Sequence, residues 1–292
     1  MDQTTSLTEA FEEQRPRLRA VAYRMLGSVS EADDALQEAW LRGNRADTSD
    51  VENIAGWLTT VVARVCLNML RTRERRREQP LDVHVPEPVI GHADGGDPEQ
   101  EALLGESVGL ALMVVLDTLT PAERLAFVLH DMFAVPFDEI AEMVERSPAA
   151  VRQQASRARR RVQDEAPPPD PDVAQQRVAV DAFLTAARDG DLDALVSVLD
   201  PDIVLRADGG SRRPSIVVHG AQDIAARAVL VNQLAPSVRP ALVNGAAGIV
   251  AVVAGKVFSV MAFTVVQGRI VAIDVLLDPD RVAALDLAVL DA

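Results

Sequence analysis

The stretch FDEIAEMVERSPAAVRQQASRARRRV, from Phe137 to Val162, predicts a short helix, a tight turn and a longer basic helix. Ser147 can cap the second helix, and Pro148 suits its first position because that position needs no backbone N–H donor. Apolar residues recur at helical spacing in both helices, so the two helices are expected to pack together. The packing residues are Ile140, Ala141 and Val144 in the first helix and Val151, Ala155, Ala158 and Val162 in the second.

The opposite face of the second helix is rich in guanidinium and amide groups. It carries Gln153, Ser156, Arg157 and Arg160, with Arg152 and Arg159 on one flank and Arg161 on the other. A helix of this width fits the DNA major groove, where its first residues reach base edges and its later arginines reach phosphates. The pattern favours a DNA-binding helix-turn-helix over the plainer alternative, a solvated arginine-rich helix in an ordinary bundle.

Length and charge set further bounds. The chain has 292 residues, enough for two or three domains with buried cores. Its net charge of −15 argues at first against nucleic acid, but five arginines lie in Arg71–Arg77 and five more in Arg152–Arg161. Local basic faces of this kind can bind phosphate despite the overall charge. The single Cys66 excludes a disulfide within the chain. With no signal peptide and no apolar run long enough to span a membrane, we expect a cytoplasmic protein without membrane contact.

Composition divides the chain into five segments. Residues 1–78 and 105–165 have helical patterns, and residues 79–104, rich in Pro, Gly and acids, are expected to be a linker without a core. Residues 166–171 contain a proline run typical of a semi-rigid spacer. Residues 172–292 begin with helices and continue with strands rich in Val and Ile. The predicted fold class is multidomain, with two all-α modules followed by an α+β cone that has a curved, mostly antiparallel sheet and an apolar interior. In its first helix Val178, Phe183 and Leu184 are expected to point inward.

The first helical segment combines an acidic face with a basic helix. Ser30 is expected to cap a helix that ends at Gly43. That helix presents an acidic and aromatic face formed by Asp34, Gln37, Glu38 and Trp40, which suits a basic protein partner and not DNA. A third helix, from about Ile54 to Arg77, ends in arginines that can hold a phosphate backbone, although a solvated helix terminus explains them equally well.

The order of these motifs resembles the extracytoplasmic-function sigma factors of bacterial RNA polymerase. The residues that carry the resemblance are Glu31-Ala32-Asp33-Asp34-Ala35-Leu36-Gln37-Glu38-Ala39-Trp40, Gly56-Trp57-Leu58, Leu119-Thr120-Pro121-Ala122-Glu123-Arg124, Glu139-Ile140-Ala141 and Ser156-Arg157-Ala158-Arg159. The resemblance covers residues 5–165. It implies that the first module, region two, binds core RNA polymerase and opens the minus-ten promoter element. The second module, region four, would read the minus-thirty-five element.

The resemblance also implies roles for individual residues. Core polymerase would be docked by Asp34, Gln37, Glu38 and Trp40. The melted minus-ten strand would be engaged by Arg64, Asn68 and Arg71. The minus-thirty-five groove would be faced by Arg152, Gln153, Ser156 and Arg157, with Arg159, Arg160 and Arg161 on phosphates. No metal or cofactor is expected; core RNA polymerase and promoter DNA are the expected partners, and the free protein is expected to be monomeric.

The rest of the chain resembles a narrower group of sigma factors, in which a SnoaL-like domain is fused to the C-terminus. His84-Val85-Pro86-Glu87-Pro88-Val89 resembles the Trp-Leu-Pro-Glu-Pro linker motif of that group. Asp208-Gly209-Gly210-Ser211-Arg212 resembles its Asp-Gly-Gly-Gly-Lys loop, and Asp278-Pro279-Asp280-Arg281-Val282 resembles its Asn-Pro-Asp-Lys-Leu turn. All three depart from the pattern, most visibly in the missing linker tryptophan. The resemblance implies interdomain regulatory contacts at Pro86, Glu87, Pro88, Asp208, Gly209, Gly210, Asp278, Pro279 and Asp280, whereas ordinary turns are the plain alternative.

The role of the C-terminal domain stays open at the level of sequence. As a built-in regulator it would pack on the sigma modules and bias their separation. As an enzyme resembling the polyketide cyclases it would need acid and base groups in its cone, for which Asp208, His219 and Asp274 are the candidates. Sensing of an unknown small ligand without turnover is a third alternative. A conventional helix-turn-helix repressor would leave the acidic face around Trp40 unexplained.

Overall fold

The computed structural model describes residues 3–47, 51–76, 83–93, 109–233, 237–285 and 287, which form two compact units. The first unit comprises Met1–Pro80 and Val115–Glu165, and the second comprises Leu81–Val114 and Ala166–Ala292. Both predicted helical modules therefore belong to one unit, except for residues 105–114 at the start of the second module. Most of the segment between them belongs to the other unit, together with the C-terminal part of the chain.

Three long helices form the N-terminal part of the first unit. They are α1 (Gln3–Leu26), α2 (Val29–Gly43) and α3 (Ile54–Arg76). The predicted cap of α2 is wrong by two residues, because Ser28, not Ser30, accepts the backbone N–H of Glu31 at 3.3 Å. Arg73 near the end of α3 forms an ion pair with Glu31 and also donates to the carbonyl oxygen of Leu26. The basic end of α3 thus partly serves to join the three helices.

Short helices complete the first unit. They are α4 (Leu110–Thr118), α5 (Pro121–Phe127), a π-helical turn (Val128–Met132), α6 (Phe137–Val144) and α7 (Pro148–Glu165), with the start of α4 assigned to the second unit. The predicted capping box at the start of α5 is confirmed, since Thr120 accepts from the amide of Glu123 and the carboxylate of Glu123 accepts from the amide of Thr120.

The second unit is an α+β cone, as the fold class predicted. Its helices are α8 (Val173–Asp189), α9 (Leu192–Val198), α10 (Ala221–Asn232) and α11 (Pro279–Ala283). Its strands are β1 (Ile90–Gly91), β2 (Leu199–Asp208), β3 (Ile216–His219), β4 (Ser237–Val243), β5 (Ala246–Val253), β6 (Lys256–Val266) and β7 (Arg269–Leu276). The sheet order is β1-β4-β5-β6-β7-β2-β3, and every neighbouring pair is antiparallel except β2 with β7.

The core of the cone lies between α8, α10 and one face of the sheet. Phe183 of α8 packs against Phe263 of β6 with ring centroids 5.6 Å apart. The prediction that Val178 points inward is wrong, because its side chain is 70% exposed. At 100° per residue Val178 lies about 140° around the helix from Phe183, whereas Val180 lies nearer that face and is buried.

The predicted linker between the helical modules is only partly a linker. Val85, Val89 and Ile90 are buried, and β1 pairs with β4 through Ile90 opposite Val243. The expectation that nothing in residues 79–104 contributes to a core is therefore wrong for the described part, residues 83–93. A few apolar residues suffice here because the sheet edge already supplies the partner groups.

The proline-rich spacer is likewise fixed at its end. Asp170 donates its amide to the carbonyl oxygen of Val265 at 2.7 Å. Its carboxylate accepts from the amides of Gln267 and Gly268 at 2.8 and 2.9 Å, in the turn between β6 and β7. The spacer of residues 166–171 therefore ends at an anchor on the sheet.

Candidate functional site

The helix-turn-helix is built as its sequence predicted. The apolar stripe of α7 is buried at Val151, Ala155 and Ala158 and faces the buried Ile140 of α6. Glu145 ends α6 in the left-handed conformation with φ of 55°, which makes the turn tight. Ser147 then accepts the amide of Ala150 at 3.3 Å, and so caps α7. This packing leaves the opposite face of α7 exposed.

The predicted DNA-contacting residues of α7 divide into two groups. Arg157 and Arg160 are exposed and make no hydrogen bond or ion pair with any described residue. Gln153 is exposed, Ser156 is half-buried, and the exposed Arg152 places its guanidinium 5.7 Å from the ring centroid of Phe137. Arg159 and Arg161 are instead engaged within the protein. Arg159 pairs with Asp131 at 2.6 Å, and Arg161 pairs with Glu165 at 3.4 Å.

The predicted residues of α2 and α3 are mostly at the surface. Asp34, Gln37 and Glu38 are exposed, whereas Trp40 is half-buried and lies 5.1 Å from Phe11 between ring centroids. Trp40 therefore has a packing role within the first unit, whatever it binds. On α3 the predicted minus-ten residues, Arg64, Asn68 and Arg71, are all exposed. Arg64 Nη2 donates to the carbonyl oxygen of Glu142 in α6 at 3.4 Å.

A buried arginine joins the two helical modules. The side chain of Arg124, at the centre of α5, is only 2% exposed. Its Nε donates to the carbonyl oxygen of Arg24 in α1 at 3.0 Å, and its Nη1 donates to Asp117 at 3.0 Å. Burial lowers the pKa of Arg124, and the charge of Asp117 opposes that shift. We call Arg124, Asp117 and the Arg24 carbonyl the module junction. Arg124 ends the motif Leu119–Arg124, and the spacing of that motif does not predict this contact.

Asp208 holds the segment between the modules to the cone. Its Oδ2 accepts from the amide of Val85 at 2.9 Å and from Arg281 Nη1 at 2.6 Å, and lies 3.4 Å from His84 Nδ1. Arg281 Nη2 also donates to the carbonyl oxygen of Val85 at 2.5 Å. We call this set, His84, Val85, Asp208 and Arg281, the clasp. It lies wholly within the second unit.

The groups around Asp208 stabilise the ionised form of its carboxyl. Burial alone would raise the pKa of Asp208. The hydrogen bonds from His84 and from the amides of Val85 and Gly210, together with the charge of Arg281, outweigh burial and lower the pKa to about 2. The carboxylate is therefore ionised near neutral pH.

The two predicted loops of the cone lie against each other beside the clasp. A Cβ added to Gly210, whose φ is +63°, would lie 1.9 Å from the carboxylate of Asp278, and one added to Gly209 would lie 2.5 Å from the carbonyl oxygen of Arg213. Asp278 caps α11 by accepting from the amide of Asp280 at 2.9 Å. This cap places the first turn of α11, including Pro279 and Asp280, where Arg281 reaches Asp208.

A second pair of hydrogen bonds, between Val89 and Asn244, also holds the segment between the modules to the cone. Val89 donates its amide to Asn244 Oδ1 at 3.0 Å and accepts the amide of Asn244 at 2.9 Å. Between the contacts of Val85 and those of Val89, Pro86 and Pro88 are buried and Glu87 is half-buried. Asn244 was not predicted as a functional residue, because Asn-Gly is an ordinary hairpin signal. Only the structure shows that it pairs with a residue more than 150 positions earlier in the chain.

The three polar residues considered for catalysis do not line the apolar cavity of the cone. That cavity is lined by Leu205, Ala207, Val275 and Leu277 among others, so alternation along β2 and β7 sends Asp208 and Asp274 to the other face. Asp274 is buried there and pairs with Arg206 at 3.0 Å, and burial raises the pKa of its carboxyl. His219 lies in a separate surface pocket beside Gly220. None of the three candidate groups therefore lines the cavity in which a cyclase-like reaction would take place.

Within the described residues, no group of three or more His, Cys, Asp or Glu side chains could hold a metal ion, and no helix is long and apolar enough to cross a membrane.

A helix-turn-helix with free arginines, joined to a helical module with an acidic face, defines a DNA-binding transcription factor with a protein partner. Comparison with known proteins narrows this class. The model of Sigma-70 region 2 matches residues 10–76, and that of Sigma-70, region 4 matches residues 109–162. Both matched ranges lie within the two helical segments that the sequence predicted.

Similar full-length proteins are known. The ECF RNA polymerase sigma factor SigJ of Mycobacterium tuberculosis strain H37Rv is 40% identical over 287 residues, which cover 93% of this chain and 91% of SigJ. The probable ECF RNA polymerase sigma factor SigI of the same species is 34% identical and is covered to 96%, as is this chain. The crystal structure of M. tuberculosis SigJ superposes with a TM-score of 0.77 at 36% identity, covering 96% of this chain and 99% of that one.

The chain belongs to the extracytoplasmic-function sigma factors of RNA polymerase. The family assignment made from the motifs is thereby confirmed, and with it the function of an alternative sigma factor that directs transcription initiation. Membership in the family implies binding to core RNA polymerase and to promoter DNA. Because the matched SigJ structure covers 96% of this chain, the similarity extends over the C-terminal cone.

Proposed function

We propose that the exposed face of α7 reads the minus-thirty-five element. Arg157 and Arg160 support this proposal most directly, since neither has a partner among the described residues that DNA would have to replace. Arg152, Gln153 and Ser156 lie in the first three turns of the same helix, where base edges are reached. Arg159 and Arg161 would contact phosphates only by sharing or leaving their pairs with Asp131 and Glu165, so each contributes less than a free arginine.

Two single substitutions test the assignment. Arg157→Ala is expected to cost about 1–3 kcal/mol in promoter binding and to relax sequence choice, because a base-reading contact is lost. Arg160→Ala is expected to weaken all sequences alike and to lower the salt slope by about 1. Fluorescence anisotropy with cognate and scrambled duplexes at several salt concentrations measures both effects. Unchanged affinity and promoter choice in Arg157→Ala would show that α7 does not read the groove.

The first module would supply the other two contacts. Arg64, Asn68 and Arg71 form an exposed polar face on α3, suited to a melted minus-ten strand. Arg64 would exchange its bond to the Glu142 carbonyl for that strand. The exposed Asp34, Gln37 and Glu38 on α2 would contact core polymerase, with Trp40 holding this helix to Phe11.

The C-terminal domain would act as a built-in regulator through the clasp. The chain between α3 and α4 spans residues 77–109, and its described middle part is bound to the cone by Asp208, Asn244 and strand β1. A tether that is fixed in its middle has two shorter free parts in place of one long one, which narrows the separations that the DNA-binding modules can adopt. The proposed regulatory residues are Pro86, Glu87, Pro88, Asp208, Gly209, Gly210, Asp278, Pro279 and Asp280.

Transcription from promoters of graded spacing tests this regulation. Full-length protein with core RNA polymerase is expected to favour a narrow range of distances between the minus-ten and minus-thirty-five elements. Asp208→Asn and Arg281→Gln are expected to broaden that range, because the tether is released. Arg269→Gln, which removes an exposed arginine at the far end of β7, serves as the matched control. If transcription depends on promoter spacing in the same way for all four proteins, the clasp has no regulatory role of this kind.

We further propose that the protein acts in the cytoplasm, where its polymerase partner is, as a monomer when free and without catalytic activity. The absence of Asp208, His219 and Asp274 from the described lining of the cone supports the last point, since no acid and base pair faces a substrate there.

A further inference from the structure

The cone of the second unit contains a cavity of about 490 Å³. It lies between α8, α10 and the face of the sheet that carries alternate residues of β5, β6 and β7. Cavities that hold small organic ligands measure about 300–1,000 Å³ and are mostly apolar with a few placed polar groups. The volume and position therefore fit a small ligand, and the lining indicates its chemistry.

The inner wall is apolar and carries one hydroxyl group that has no hydrogen-bond partner among the described residues. Phe183, Leu205, Ile249 and Met261 provide the apolar surface. Ser259 on β6 also lines the cavity, and it is only 3% exposed. Its hydroxyl makes no hydrogen bond with any described residue. Since this hydroxyl lines the cavity, it is available to water or to a bound ligand.

The mouth of the cavity is apolar and positively charged. Leu230 and Val231 of α10 line it with 63% and 48% of their surface exposed, an uncommon cost for large apolar residues. Arg188 at the end of α8 and Arg227 on α10 also line it. Both arginines are exposed, and neither forms an ion pair or hydrogen bond with a described residue. No acidic residue is among the described lining residues, so two uncompensated guanidinium groups border an apolar interior.

We propose that this cavity binds a small amphipathic carboxylic acid, with its carboxylate on Arg188 and Arg227 and its apolar body inside the cone. Guanidinium groups recognise a carboxylate through charge-assisted hydrogen bonds, and the apolar wall excludes water from the remainder of the ligand. Ser259 would satisfy a hydroxyl or carbonyl group on that body. The acid is bound and not converted, because the described lining offers no acid or base.

Binding of dodecanoate to the full-length protein tests the proposal by isothermal titration calorimetry, with dodecan-1-ol as the neutral ligand of the same chain length. We expect one dodecanoate per chain, bound about tenfold more tightly than the alcohol. Replacement of both arginines, Arg188→Gln with Arg227→Gln, is expected to abolish this preference while binding of the alcohol remains. Arg269→Gln, a cation at the other end of the sheet, is expected to leave both affinities unchanged.

A second variant shows where the ligand sits. Ala228→Phe adds a ring to α10 at a half-buried position that lines the cavity, and it is expected to abolish binding of both ligands. Its thermal unfolding, followed by circular dichroism, shows whether the cone still folds, and Ala228→Leu replaces it if the cone does not. Absent binding of dodecanoate, equal affinity for acid and alcohol, or binding unaffected by the filled cavity would each overturn the proposal. None of these outcomes bears on transcription, so the proposal fails or stands separately from the sigma-factor function.

Discussion

The module junction and the clasp are two arginine–carboxylate contacts that differ in how far the arginine is buried. Each joins segments that are distant in the chain, and each involves a backbone carbonyl as well as a carboxylate. At the junction the Arg124 side chain is 2% exposed, and its partner Asp117 is 10% exposed. At the clasp Arg281 is 29% exposed, although Asp208 is buried. One guanidinium is sealed in the interior, and the other borders water.

This difference decides what each contact can do. A charge sealed in the interior cannot lose its partner without a large penalty, so the junction is expected to stabilise the first unit as long as the two modules stay together. A guanidinium that borders water can exchange its protein partner for solvent at moderate cost, so the clasp can open while the cone stays folded. The junction therefore supports the fold, and the clasp is suited to regulation.

The largest expected effect is at the junction. Arg124→Ala is expected to lower the free energy of unfolding of the first unit by about 3–5 kcal/mol, because the mostly covered carboxylate of Asp117 loses the guanidinium that balances its charge. Urea unfolding followed by tryptophan fluorescence measures this unit alone, since the two tryptophans of the chain, Trp40 and Trp57, both belong to it.

A double substitution separates the charge from the packing. Arg124→Leu with Asp117→Leu removes both charges, and it is expected to recover most of the stability that Arg124→Ala loses. An unfolding midpoint for Arg124→Ala equal to that of the unaltered protein would contradict the assignment of a structural junction.

The clasp is expected to show a smaller and local effect. Arg281→Gln removes two charge-assisted hydrogen bonds, which glutamine and water partly replace. A net loss of about 1.5–3 kcal/mol corresponds to about a tenfold to 150-fold larger open population of the segment around Val85. Hydrogen exchange at the Val85 amide, which donates to Asp208, reports this opening. The tryptophan-monitored unfolding of the first unit is expected to stay unchanged. Exchange at Val85 that is the same in Arg281→Gln and in Arg269→Gln would contradict the proposed clasp.

Much of this architecture could be predicted from local patterns. The stripe of Val151, Ala155 and Ala158 and the cap at Ser147 follow from helical spacing and side-chain chemistry, so the helix-turn-helix was predicted in detail. The alternation of side chains between the two faces of a strand could also have excluded one catalytic candidate. Because Leu205 and Ala207 face the cavity, Asp208 must face away from it, which excludes it as a catalytic group in the cone.

The contacts that join distant segments could not be predicted in this way. Arg124 looks like a solvent-exposed residue in a short amphipathic helix, since a sequence does not show which neighbouring module will cover it. The segment around Val85 looks like a linker because its prolines and acids dominate its composition. Its few apolar residues matter only because Asn244 and strand β4 complete their hydrogen bonds.

Low pH is expected to weaken the clasp by protonating Asp208. The pKa of Asp208 is lowered from 3.8 to about 2, so its contribution to stability is present above about pH 4 and is lost as the pH falls towards 2. The difference corresponds to about 2 kcal/mol. A carbon-13 NMR titration of the Asp208 carboxyl is expected to show an ionised group down to pH 3. In Arg281→Gln the midpoint is expected to rise towards its ordinary value, and a midpoint already near 4 in the unaltered protein would contradict the proposed electrostatics.

The smallest loss of stability is expected at an exposed ion pair on the surface of α2. Arg42 and Glu38 of α2 lie 2.8 Å apart, and each side chain is 48% exposed. Arg42→Ala is expected to change the free energy of unfolding by about 0.5 kcal/mol or less, because water screens the pair and both long side chains lose entropy in forming it. The same urea titration that tests Arg124→Ala measures it. Since all three contacts join a guanidinium to a carboxylate, comparable losses in Arg42→Ala and Arg124→Ala would show that burial does not control their strength, and the distinction between junction and clasp would fail.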